Sequence, residues 1–106
     1  MDQLRYTHNI MARYPTRVPV WIERARGETI PDVDRHKFLI ERDMTMSQVI
    51  YIIRTRIKLS SEQAMFVFVG DGVLPATGDY IGSVYKDHAA PDGMLYIRYR
   101  IEKTFG

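Results

Sequence analysis

The chain has no cysteine. That rules out disulfides, a thiolate nucleophile and thiolate-ligated metal, and it fits a reducing compartment. No apolar run approaches membrane-span length, and the N-terminus carries no signal-peptide h-region. Internal repeats and low-complexity segments are absent as well. An excess of one charge sign is also lacking, since 15 Lys and Arg stand against 13 Asp and Glu for a net charge of +2. The imbalance that exists is local. Arg5, Arg13, Arg17, Arg24 and Arg26 face only Asp2 and Glu23 within the first 26 residues. Such a quarter reads first as a solvated face, and second as a surface for acidic partners such as tubulin-like or lipid surfaces.

Catalytic constellations are missing too. His8, His36 and His88 are scattered, and none has a second ligand-type residue at metal spacing on the same predicted face. They read as surface or partly buried histidines. Asp32 and Asp34 lie in a turn, where aspartate caps backbone; an acid–base pair is the distant alternative. Gly70-Asp71-Gly72 lacks the glycine pattern of a phosphate loop and the lysine-bearing helix after it, so it reads as a hairpin turn. No enzyme activity, metal or cofactor is expected.

What is present suffices for one domain. With 106 residues, 45% of them hydrophobic, the chain can bury a core unaided. Its clearest signal lies between Arg35 and Leu59. Lys37-Phe38-Leu39-Ile40 is too short for a helix and apolar on both alternating faces, as in a strand covered on both sides. Glu41-Arg42-Asp43 turns the chain. Thr45 and Gln48 then have the spacing of a capping box, and Met44 and Val49 that of a hydrophobic staple. Met46, Val49, Ile50, Ile53 and Ile57 fall on one side of the helix, with Ser47, Tyr51, Arg54, Thr55 and Lys58 largely opposite. Ile52 sits on the flank beside Val49, making the apolar face wider than one sheet contact needs. Such a flank is commonly covered by another segment; it can also wall a groove.

Elsewhere, residues 2–13 give a weak helical pattern capped by Asp2, with Leu4, Ile10 and Met11 available to pack. Tyr14-Pro15 stops it. Val18 to Ala25 alternates as a strand, in which Pro19 marks the start or an unpaired side. After the main helix come a strand at Met65 to Val69, a short apolar piece at Val73-Leu74 and a short helix carrying Ile81, Val84, Tyr85 and His88. A Pro91-Asp92-Gly93 turn and a last strand from Met94 to Tyr99 follow. The tail from Arg100 onward shows no apolar period. The cations Arg54, Arg56 and Lys58 complement a helix C-terminus. A nucleic-acid surface would need aromatics among them, and only Tyr51 offers itself. The fold class is therefore α+β: a four-stranded mixed sheet, one main crossing helix, a short second helix and a short N-terminal helix. The order of elements is best matched by a β-grasp roll.

Two features carry functional meaning. If Lys37 to Ile40 lies at a sheet edge, it offers unpaired backbone to an extended peptide, with pockets for alternate side chains. The chain also stops on Phe105-Gly106. A terminal glycine is usually where a chain was cut, yet a residue without Cβ is also what a carboxyl-terminal conjugation tag needs to thread an enzyme channel.

A series of motifs binds these features together. They are Arg13-Tyr14-Pro15-Thr16-Arg17-Val18-Pro19-Val20, Ile30-Pro31-Asp32-Val33-Asp34, Lys37-Phe38-Leu39-Ile40, Ile53-Arg54-Thr55-Arg56-Ile57, Met65-Phe66-Val67-Phe68-Val69, Tyr85-Lys86-Asp87-His88, Leu95-Tyr96-Ile97 and Phe105-Gly106. In this order, from about Ile10 onward and with one extra residue near Gly78, the chain resembles the autophagy ubiquitin-like modifiers, the family of GABARAP and the microtubule-associated light chains. The resemblance implies a ubiquitin-like domain over residues 14–100, a helical extension over 1–13 and a flexible conjugation tail over 101–106. It implies that Gly106 is joined to phosphatidylethanolamine through activating and conjugating enzymes, which hold the catalytic cysteines, after trimming by a processing protease where one is needed. It implies a second role, in which cargo receptors and adaptors dock aromatic-x-x-aliphatic motifs on the strand at Lys37 to Leu39. The aromatic would enter a first pocket of Ile10, Pro19, Lys37, Leu39 and Met94. The aliphatic residue would enter a second one of Phe38, Ile40, Met44, Val49, Ile52 and Arg56. Arg17, Arg35 and Lys37 would meet acidic residues ahead of the motif. The implied setting is the cytoplasm and, once lipidated, the autophagosomal membrane, with a monomer in solution and no nucleic acid bound.

Departures from the family pattern shape further expectations. Thirteen residues precede Tyr14, about half the usual lead, so one of two N-terminal helices is expected to be missing or cut down, along with its tubulin-binding and tethering roles. Val49 and Met94 stand where larger or aromatic residues are common, and Trp21 is bulkier than the norm. The alternatives are an unconjugated adaptor that binds peptides or the cytoskeleton, and a basic RNA-binding domain.

Overall fold

A computed structural model describes residues 2–102 of the chain. Its elements are α1 (Asp2–Arg13), β1 (Arg17–Arg24), β2 (Lys37–Glu41), α2 (Met46–Arg56), β3 (Met65–Val69), α3 (Ile81–His88) and β4 (Leu95–Ile101). The four strands form one sheet in the order β2-β1-β4-β3. The hairpin β1–β2 is antiparallel, β1 and β4 run parallel at the centre, and β4–β3 is antiparallel. This is the α+β architecture expected, with a mixed sheet and one main helix.

The capping box explains where α2 begins. Gln48 N–H donates to Thr45 Oγ1 at 3.3 Å, and Thr45 N–H donates to Gln48 Oε1 at 2.8 Å. The remaining early amides are also paired. Met46 N–H reaches the Asp79 carbonyl at 2.8 Å and Ser47 N–H the Thr77 carbonyl at 2.9 Å. The helix then buries Met46, Val49 and Ile53 against the sheet, with the capping Ile57 buried beside them, while Tyr51 stands exposed. Opposite them lie Val18, Val20 and Ile22 of β1, Phe38 and Ile40 of β2, and Leu95, Ile97 and Tyr99 of β4.

Pro19 tests the strand reading. Ile22 N–H points to β2, where it meets the His36 carbonyl at 2.9 Å, so by alternation Pro19's side of β1 faces β4. The β4 ladder opens only at Val20–Leu95. Proline's missing donor therefore falls where there is no partner strand.

Two strand boundaries and one burial pattern differ from expectation. β1 runs from Arg17 to Arg24, one residue earlier at each end than the alternation suggested. β4 starts at Leu95 and continues to Ile101, because Arg100 and Ile101 pair with Phe66 and Met65. Lys37 to Ile40 is not covered on both sides: Phe38 and Ile40 are buried under α2, whereas Lys37 is exposed and Leu39 half-buried. Asp2 opens α1, but its side chain, like all of Met1 and Lys103 to Gly106, lies outside the described residues.

Candidate functional site

Among the described residues β2 is an edge strand, hydrogen-bonded to β1 and to no strand on its other side. The backbone groups of that free side are available to an added strand. On the α2 face beside it, all six residues expected for the second pocket line one cavity of about 280 Å³. Phe38 and Ile40 come from β2, Met44 from the turn, and Val49, Ile52 and Arg56 from α2. Val49 is fully buried and forms the floor, while Ile52 on the helix flank remains half-buried as a wall. Arg35 and Arg56 place their guanidinium carbons 4.8 and 5.1 Å from the centre of the Phe38 ring. An ion pair with Asp34 at 3.2 Å orients Arg56. Arg17 and Glu41 complete the rim as an ion pair at 3.0 Å. The Arg17 hydrogen bond, helped by Thr16, holds the Glu41 carboxyl below its usual range.

Of the five residues expected for the first pocket, Pro19, Lys37 and Leu39 lie on the opposite face of the sheet. Pro19 and Leu39 are register partners, and Lys37 pairs with Trp21 two residues along. Met94 is fully buried and lies outside the core cluster beneath α2. Ile10 is half-buried on α1. The position of α1 depends on a close approach to the loop between α3 and β4. The buried Thr7 hydroxyl donates to the Asp92 carbonyl at 2.6 Å, with the Leu4 carbonyl 2.9 Å away. The Tyr85 hydroxyl donates to the Gly93 carbonyl at 2.6 Å and sits 3.2 Å from Met11 Sδ. Gly93 has φ +84°, and a Cβ there would overlap Thr7 Oγ1, so glycine is required twice over.

Reading the sequence missed two aromatic contacts on this face of the sheet. Tyr6 lies under the Lys37 ammonium, 4.3 Å from the ring centre. Its place one helical turn before Ile10 was the available signal. Trp21 stacks on His36, with ring centres 4.9 Å apart and planes 16° from parallel. Trp21's spacing from Pro19 put it on the same strand face, but nothing local tied His36 to it. A second surface was also missed. Phe66 and Phe68 on β3 alternate outward beside Arg98 and Arg100 of β4, with Arg100 lying 4.9 Å over Phe68. The other histidines have ordinary roles: His8 is exposed and His88 packs against Gly70. Asp32 caps backbone as expected, accepting from Val33 N–H at 2.9 Å and Arg24 N–H at 3.0 Å.

An edge strand beside a cavity rimmed by cations, on a mixed sheet crossed by one helix, invites comparison with known proteins. Residues 3–106 fit the family model described as autophagy protein Atg8, ubiquitin-like. The chain belongs to the Atg8 family. Among its relatives, autophagy-related protein 8e of Arabidopsis thaliana is 50% identical over 97 residues, spanning 92% of this chain and 79% of that protein. Autophagy-related protein 8 of Mycosarcoma maydis is 46% identical over 97 residues, spanning 92% and 81%. The crystal structure of Trypanosoma brucei ATG8 superposes with a TM-score of 0.88 at 30% identity, covering 99% of this chain and 90% of that one. This Atg8-family chain is thus an autophagy-related protein with the ubiquitin-like fold, as its motifs implied.

Proposed function

We propose that this Atg8-family protein is a modifier, attached through Gly106 to phosphatidylethanolamine, that recruits receptors and adaptors by their aromatic-x-x-aliphatic motifs. The observation that carries the recruiting half is the cavity of Phe38, Ile40, Met44, Val49, Ile52 and Arg56 beside the open edge of β2. An extended peptide adds to β2 as a strand, and its alternate side chains reach opposite faces of the sheet edge. The aliphatic anchor enters this cavity. The aromatic one enters between Pro19, Leu39, Lys37, Ile10 and Met94. Acidic residues ahead of the motif meet Arg17, Arg35 and Lys37.

The conjugating half rests on family membership and on Gly106. In this reading the chain is no enzyme itself: activating and conjugating enzymes supply the thiolates, and a processing protease exposes the glycine where residues follow it. The protein is cytoplasmic as a monomer and moves to the autophagosomal membrane once lipidated.

Intact mass of the protein recovered from membranes of starved cells tests attachment. A gain equal to phosphatidylethanolamine, mapped to the Gly106 peptide, is the expected result; an unmodified terminus leaves an unconjugated adaptor. Titration with a labelled motif peptide tests the groove. The Lys37→Ala, Leu39→Ala double variant should keep its circular dichroism and lose binding, and unchanged affinity refutes the groove.

A further inference from the structure

We propose that the groove between the Val73–Ala76 segment and α3 is a docking surface for another protein, taking a short cationic segment in which one apolar side chain is flanked by lysine or arginine. The surface is separate from the motif groove, since this cavity of about 270 Å³ shares no lining residue with the one beside β2.

The backbone of this stretch is held in place while its apolar side chains stay outside. Val73 and Leu74 are 42% and 58% exposed, and Tyr80 farther along is 55% exposed. Hydrogen bonds fix the chain at both ends. Val69 N–H donates to the Val73 carbonyl at 2.8 Å, and Val73 N–H returns to the Val69 carbonyl at 3.0 Å. The Thr77 and Asp79 carbonyls accept from Ser47 and Met46 at the start of α2, and Tyr80 pairs with Thr45. Pro75 restricts the backbone between these points. The stretch thus keeps its shape without burying Val73 or Leu74. Neighbouring apolar side chains on a fixed backbone mark an interaction site, and covering them demands little further ordering. Val84 of α3, itself buried, also lines the groove.

Charge selects the occupant. The chain carries +2 overall, yet residues 71–87 hold three aspartates and a single lysine. Asp79 and Asp87 line the groove with Ser83 and His88, whereas Lys86, about 100° round the helix from Asp87, does not. Neither aspartate forms an ion pair among the described residues. Asp79 is fixed in place, its Oδ2 accepting from Ala76 N–H at 3.2 Å. An apolar cleft bordered by two such carboxylates complements an apolar side chain set between cations, and it repels an acidic segment.

The test uses the full chain, isotopically labelled, and three series of short peptides on one template. Each peptide holds one Leu, Ile or Phe, flanked by Lys and Arg in the first series, by Gln in the second and by Glu in the third. The cationic series should bind and move the amide shifts of residues 73–79 and 83–88. The Gln series should bind more weakly and the Glu series not at all. Leu74→Ser should lower the affinity of the best cationic peptide about tenfold, with the melting temperature unchanged because Leu74 is mostly exposed. Asp79→Asn keeps an oxygen for Ala76 N–H. Combined with Asp87→Asn it should weaken binding roughly threefold to tenfold at low salt, and added salt should remove most of that difference. Leu39→Asp should change nothing here, which separates this surface from the motif groove. No binding by any cationic peptide, equal affinities across the three series, or shifts centred elsewhere overturns the proposal. So does self-association of the free chain that Leu74→Ser abolishes, since the face then belongs to a second copy.

Discussion

Gly27 and Gly93 provide a matched pair of perturbations. Both have φ in the left-handed region, +86° and +84°. Alanine at either position costs about 1–2 kcal/mol for the backbone alone. At Gly27 a Cβ meets nothing within 4 Å, so Gly27→Ala should stop there. At Gly93 the same Cβ overlaps Thr7 Oγ1 and lies 2.9 Å from Thr7 Cβ. Thr7 is fully buried and cannot swing into solvent. Relief requires α1 to lift, which breaks the Thr7 hydrogen bond to the Asp92 carbonyl and costs a further ~1–3 kcal/mol. Gly93→Ala should therefore lose about 2 kcal/mol more than Gly27→Ala. Urea unfolding followed by circular dichroism measures both. Hydrogen exchange should show α1 amides deprotected in Gly93→Ala and unaffected in Gly27→Ala. In the double variant with Thr7→Ala the losses should be less than additive, since the residues touch. Equal losses for the two glycines would refute the close approach as the force that positions α1, and with it the placing of Tyr6 and Ile10 at the first pocket.

Three further expectations follow from other contacts. Thr45→Ala removes one arm of the capping box while Met46 and Ser47 N–H keep their loop partners, so urea unfolding should show a loss of about 1 kcal/mol rather than collapse of α2. Ile52→Asp puts a carboxylate in the wall of the 280 Å³ cavity; peptide affinity should fall at least tenfold with little change in melting temperature, as Ile52 is only half-buried, and retained affinity argues against that cavity as the aliphatic pocket. The Tyr96 hydroxyl is pushed up from 10 to about 12, chiefly by its hydrogen bond to the Asp92 carboxylate. A raised folded-state value means that this contribution is complete below pH 10 and is lost as pH rises toward 12. Tyr96→Phe should flatten the alkaline fall in stability over that window, leaving the part due to Tyr99, raised chiefly by burial; an unaltered alkaline limb refutes the assignment.

Much of the fold was legible because its signals are local. Thr45 and Gln48 are three residues apart, and their reciprocal hydrogen bonds need nothing beyond one helical turn. The flank position of Ile52 followed from periodicity, and that flank is the wall of the second pocket. Covering of the Lys37 to Ile40 strand was misread because alternation reports which residues share a face, not whether a second layer lies over it. Leu39 is half-buried on the face opposite Phe38 and Ile40. The burial of Met94 and the stack of Trp21 on His36 were not legible. Each joins residues separated by a loop or by most of the chain, and their partners are set by how α1 and residues 25–36 fold back. The outward aromatics Phe66 and Phe68 were hidden by the unbroken apolar run Met65 to Val69, whose outer face is balanced by Arg98 and Arg100 on the neighbouring strand.

The parallel pairing of β1 with β4 sets a distance that neither strand shows alone. The second cavity is lined on β1 by Arg17, at the start of the strand, and by Ile22 farther along it. β4 runs beside β1 in the same direction, passes Arg24 at Tyr99 and leaves the sheet at Ile101 and Glu102. From Arg17, seven steps of a strand and two more beyond it amount to about 30 Å; from Ile22, four steps amount to about 13 Å. Under the proposed function, the Arg17 end of the motif cavity is thus the part farthest from the point where the chain leaves the sheet, and the rigid parallel pair β1 and β4 keeps the two apart.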